Sequence, residues 1–185
     1  MFNIEKLIQT CNYLIKKSNP KINYTKLIKL LYLADRESLE LTAQSITGDT
    51  YVCMDSGPVL SGLYDLIKGK YNETDQCLWN SRFIKDGYDL VVTTENIPQG
   101  ELSLFETQVL DRIYEKFKNY TVPGIIEYIH NNCHEWEHPS GSSTPLTSKR
   151  ILKNIGKTKE EIDWIIAETE AFEDEERAFL SLANA

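Results

Sequence analysis

The densest group of side chains able to do chemistry in this 185-residue chain is His130-x-x-Cys133-His134-x-x-x-His138. Imidazole nitrogens and a thiolate hold zinc when four of them converge tetrahedrally, and residues four apart share one face of a helix. Pro139 stops a helix from running on through that segment, and the stretch is read as having neither a second Cys-x-x-Cys nor a Glu-bearing zincin motif. No metal and no cofactor are therefore expected. Three carboxylates, Asp35, Asp49 and Asp55, form a second group. General acid–base catalysis needs carboxyl groups converging in a pocket with displaced pKa values, and no such arrangement is legible here. Carboxylates beside turns more often accept backbone amide hydrogens; that role is expected of Asp35 near Gly57-Pro58, and of Asp49 in the turn after Gly48. Gly48, Gly57 and Gly62 do not spell a phosphate-binding loop, and there is no Gly-x-Ser-x-Gly nucleophile motif. The expectation is that the chain is not an enzyme. Tyr24, Tyr32, Tyr51 and Tyr64 gather in the same stretch; Tyr32 and Tyr51 are expected in the core, and Tyr64 divides between core and binding surface.

The elements that must position these residues begin with a long helix from Tyr24, capped by Asn23. Leu27, Leu30, Leu31, Ala34, Leu41 and Ala43 give it an apolar stripe. It breaks at Thr47-Gly48-Asp49, and Thr50–Met54 suits a strand. Ser56 or Gly57 then reads as an N-cap with Pro58 in the first turn of a second helix, whose Val59, Leu63, Leu66 and Ile67 point inward. Upstream, Ile4, Leu7, Ile8, Cys11, Leu14 and Ile15 make an amphipathic helix capped by Asn3 and stopped at Ser18-Asn19-Pro20. Downstream, residues 71–80 read as loop. Asp86-Gly87 between residues 81–85 and 88–93 is a hairpin signal with both central residues at positive φ, and that hairpin is expected to pair with the strand near Tyr51. Ser103-x-x-Glu106 is a capping box for a helix through Phe117, and Thr121-Val122-Pro123 opens a shorter one. Residues 140–145 read as a flexible loop, residues 146–155 as a helix ending at Gly156. A second capping box, Thr158-x-x-Glu161, opens a long terminal helix whose Ile162, Ile165, Ile166, Thr169 and Phe172 are expected to dock on the domain. The expected fold class is α+β: a predominantly helical single domain with a small antiparallel sheet, made of the strand near 50–54 and the hairpin near 81–93.

Totals limit the function further. The chain is 41% hydrophobic and 26% charged, with a net charge of −8, the balance of a globular domain without the basic face that gripping nucleic-acid phosphates requires. Lysines 6, 16, 17, 21, 26 and 29 make the start basic, while residues 160–176 are strongly acidic, either an internal match or two partner-facing surfaces. The four cysteines form no framework, no secretory signal is legible at Met1–Glu5, and no run is long enough to span a membrane. A cytoplasmic protein with reduced thiols is expected.

Lys26, Leu30, Leu31, Tyr32, Ala34 and Asp35, then Gly48, Asp49, Tyr51 and Val52, then Gly57, Pro58, Val59, Leu63 and Tyr64 stand in the order and spacing of one known signature. It resembles that of the SocA-like antitoxin domain, also called the Panacea domain. Ser56 replaces the aromatic usual before Gly-Pro, and Leu60 the proline often found after Pro-Val. The resemblance covers roughly residues 22–170, with the signature in 24–68; it implies a domain over 1–172 followed by an acidic helix end or tail over 173–185. It also implies an antitoxin that neutralises a cognate, adjacently encoded protein toxin by direct binding, with Asp49, Tyr51, Asp55, Ser56, Gly57, Pro58 and Tyr64 facing the partner. Leu31, Tyr32, Asp35, Gly48, His130 and Trp136 are its structural positions. Two alternatives stay open: a proteolytic adaptor delivering the toxin to a protease, through the acidic tail or the Ala183-Asn184-Ala185 end, and a DNA-binding autoregulator acting on operator DNA through the lysine-rich start. Oligomeric state and toxin identity are not legible.

Overall fold

A computed structural model describes residues 2–94 and 96–183. It contains eight helices and two three-stranded antiparallel sheets, so the chain is α+β and predominantly helical. Helix α1 (Ile4–Ser18) starts where the Asn3 side chain accepts the Lys6 amide and ends at Asn19, a non-glycine residue in the left-handed region. A short strand β1 (Lys21–Asn23) leads into α2 (Tyr24–Thr42), whose cap Asn23 accepts the amides of Thr25 and Lys26. Twelve of the nineteen α2 residues are buried, which makes it the central helix of the fold rather than a one-faced surface helix. Against expectation, Leu41 is exposed: the stripe ends with Leu39, and Ala43 in left-handed conformation turns the chain away.

The Gly57-Pro58 corner departs most from the expectation. Strand β2 (Tyr51–Met54) turns through Asp55-Ser56 into a second strand, β3 (Gly57–Leu60), where a helix start was expected. Pro58 is compatible with a strand because β3 lies at the edge of its sheet, where the missing N–H leaves no ladder position unfilled. Helix α3 (Ser61–Lys68) begins only after it and stops at Gly69. Residues 73–80, read as loop, form α4 (Glu73–Asn80); with Trp79 alone buried, it has no periodicity to betray it, although Asn72 caps it.

Strands β4 (Phe83–Asp86) and β5 (Asp89–Val92) form the expected hairpin, but the turn is Gly87-Tyr88, and only Gly87 takes positive φ. The hairpin does not join β2. It pairs with β1, in the order β1-β5-β4. Both edges of β2 are taken, one by β3 and the other by β6 (Thr144–Leu146), a strand formed where a loop was expected. Helices α5 (Leu104–Phe117) and α6 (Val122–Asn132) follow, the first with the full Ser103/Glu106 capping box. Helix α7 (Ser148–Asn154) is shorter than expected, and α8 (Lys159–Ala183) opens on the reciprocal Thr158/Glu161 bonds. One buried cluster runs from Leu7 to Ile165, and α2 packs against α1, α3, α5, α6 and α7 within it. Of the stripe expected to dock α8, Ile162 and Ile165 are buried, but Thr169 and Phe172 are exposed. The Asn184-Ala185 end lies outside the described residues. Among those described, no helix is long and apolar enough to cross a membrane.

Candidate functional site

The signature residues meet where α2 passes behind β2, β3 and the start of α3, and α2 carries the side chains that organise the corner. Asp35, fully buried, accepts the amides of Ile46 and Thr47 at 2.9 and 3.0 Å, the Thr47 hydroxyl, and the Tyr51 hydroxyl at 3.0 Å. Burial pushes its carboxyl up to about 6, held back by those four donors. Tyr51 is buried against Tyr32, ring edge to face at 5.9 Å.

Asp49 works at a distance that its turn position does not suggest. Besides Thr50 it accepts the amides of Gly62 and Leu63, both at 2.9 Å. These belong to the first turn of α3, whose own N-cap, Leu60, has no side-chain oxygen to offer. Asp49 thus caps α3 from a separate loop. A side chain on Gly62 would meet its carboxylate, since a Cβ there would lie 3.0 Å from Asp49 Oδ1.

Three further bonds tie α2 to the corner, and none was foreseen. Lys29, only 1% exposed, donates from Nζ to the Pro58 carbonyl at 2.7 Å, and burial lowers its amine to about 7. Tyr32 and Arg36 both donate to Oε1 of the fully buried Glu135 at 2.6 Å. The available signal was a set of charged residues within otherwise apolar stretches, Lys29 between Ile28 and Leu30 above all. Past α6, His130 stacks on Trp136 with ring centres 3.9 Å apart, and Trp136 Nε1 donates to the Met54 carbonyl at 2.9 Å. Gly57 has φ +99°, and a Cβ there would press on Ile129 at 3.3 Å and on Lys29 Nζ at 3.4 Å.

Of the seven residues expected to face a partner, the structure brings six to the β2–β3 hairpin and its root, but Asp49, Tyr51, Gly57 and Pro58 are buried. Asp55 and Ser56, at the hairpin turn, are exposed, and Tyr64 on α3 is half-buried. Asp55 lies 3.6 Å from His138 Nε2, with both side chains open to solvent. Leu31 and Gly48 belong to the same frame, Leu31 in the core and Gly48 at positive φ in the loop that Asp35 ties down.

Contrary to the reading that this stretch has no Glu-bearing zincin motif, residues 134–138 spell His-Glu-x-x-His, the spacing that sets two zinc ligands and a general base on one helical face. That arrangement needs a helix. α6 has ended at Asn132, Cys133 leaves helical geometry, and Glu135 turns inward to Tyr32 and Arg36. Among the described residues, no three His, Cys, Asp or Glu side chains converge as metal ligands. The thiols of Cys11 and Cys133 are both raised by burial, Cys133 to about 12, which keeps them protonated.

Lys29, Asp35, Asp49 and Glu135 are thus committed to backbone groups and to other side chains, holding a corner in shape. The chain belongs to the SocA-like antitoxin, Panacea domain family, which residues 27–137 match. No curated protein and no solved structure matches it.

Proposed function

We propose that this protein is an antitoxin that neutralises a cognate, adjacently encoded protein toxin by binding it directly and masking its working surface, in a cytoplasmic complex. Family membership supports an antitoxin role. The observation that carries direct binding is the use made of the buried charges at the corner: Asp35 and Asp49 of the signature, together with Lys29 and Glu135, are bonded within the fold, and the hairpin turn they brace presents Asp55 and Ser56 to solvent. Asp55, Ser56 and Tyr64 touch the toxin. Asp49, Tyr51, Gly57 and Pro58 beneath them hold its docking surface in place.

Expressing each neighbouring reading frame with and without this protein tests the proposal. Growth arrest relieved by this chain, with both proteins recovered in one complex, is the expected result. Relief accompanied by protease-dependent loss of the toxin is the outcome of an adaptor and would overturn masking. Charge reversal at the hairpin (Asp55→Lys with Tyr64→Glu), in a variant with unchanged circular dichroism, should weaken the complex; an unchanged affinity removes the hairpin from the interface.

A further inference from the structure

The sequence of α8 carries nine acidic and two basic residues, −7 of the chain's net −8. The rest of the protein is almost neutral in net charge. Four of the lysines at the start of the chain are engaged elsewhere: Lys6 with Glu106, Lys17 with Asp111, Lys21 with Asp89, and Lys26 with the carbonyls of Lys118 and Tyr120. Among the described residues, one ion pair joins α8 to the rest of the chain, Lys149 to Asp163 at 3.6 Å.

The same helix is only partly docked. Ile162 and Ile165 are buried and Ile166 half-buried, but every described side chain from Ala167 to Phe179 is exposed. From residue 167 to the end at 183 it runs for about 25 Å at 1.5 Å per residue. Trp164, Phe172 and Phe179 are exposed by 63, 65 and 71%. At 3.6 residues per turn they fall within an arc of about 80°, beside the isoleucine stripe. In proteins most helical stability comes from packing an apolar face, and large aromatics of this kind anchor interfaces.

We infer that the free part of α8 is a docking arm for the toxin, and that the toxin receives it in an apolar groove rimmed by lysine and arginine. The inference rests on the antitoxin reading and names where most of its contact is made. Charge complementarity selects the occupant: the acidic faces need a basic rim, while a second copy of the chain would set −7 against −7. Area points the same way, because a stable interface takes about 800 Å² from each partner, more than a hairpin turn with two exposed residues can supply. The arm guides encounter by its charge and holds the complex by Phe172 and Phe179.

The test uses the full-length chain and the neighbour-encoded toxin that the wild type neutralises. Two variants are compared, Phe172→Ser/Phe179→Ser and Glu168→Lys/Glu170→Lys/Asp174→Lys, with melting temperature as the control for folding. The aromatic variant should weaken binding about 100-fold and abolish growth rescue. The charge variant should slow association about 10-fold and flatten its dependence on salt. Neutralisation within threefold of wild type by both variants overturns the arm while leaving the antitoxin reading intact. A wild-type dimer that the aromatic variant makes monomeric, with rescue unchanged, assigns the face to a second copy and also overturns it. If the wild type relieves no toxicity, both readings fall.

Discussion

The corner at β2–β3 and the arm at α8 use charged residues in opposite ways. At the corner, four ionisable side chains are buried, each bonded to backbone groups or to another side chain. On α8 the described charged side chains face water, beside exposed aromatics that lie outside the buried cluster. A buried charge is costly unless satisfied, so the corner's residue types are dictated from within the fold. An exposed acidic face costs the fold almost nothing to change, so its composition is not dictated from within the fold.

If that contrast is right, substitutions at the corner should cost stability, and those on the arm should cost binding alone. The largest effect is expected at Glu135→Ala, which takes the shared acceptor from the half-buried Arg36 and the buried Tyr32 hydroxyl; about 3–5 kcal/mol should be lost in urea unfolding. A loss below 1 kcal/mol would show that this pair is not needed.

Lys29 gives the contrast a pH dependence. Its amine falls from 10.5 to about 7 on folding, so between those values the unfolded chain holds a proton that the native chain has released. Its contribution to stability is complete above 10.5 and is lost as pH falls through 7. From pH 7 to 10, wild type should gain on Lys29→Met by up to about 1.4 kcal/mol per unit. Parallel curves would sink the assignment. Asp35 has the reverse sign: its carboxyl rises from 3.8 to about 6, and its contribution, complete below 3.8, is lost as pH rises through 6.

Asp49→Ala removes the remote cap of α3 and should cost about 1–3 kcal/mol, with faster amide exchange at Gly62 and Leu63 as the local signature. Unchanged exchange at those two amides would mean that water replaces the carboxylate without loss. The smallest stability effect belongs to the arm: Phe172→Ser/Phe179→Ser should stay within about 0.5 kcal/mol of wild type. A larger loss would place those rings in the protein's own core and erase the difference between the two regions.

What the sequence determined about this protein is what depends on near neighbours. Asn3, Asn23, Ser103 and Thr158 cap helices in the described structure because a cap is satisfied within three residues. The signature that names the family was legible for the same reason, as typed residues in a fixed order. Tertiary structure decided the rest. Gly57-Pro58 became a strand rather than a helix start because β2 offered it an edge, and β6, drawn from a presumed loop, closed the other side. The hairpin at Gly87-Tyr88 then had to find β1. Asp49 caps a helix that starts twelve residues later, and Glu135 meets α2 about a hundred residues away. Spacing along a chain records none of those distances; only packing brings such donors and acceptors together, and desolvation then requires that they pair.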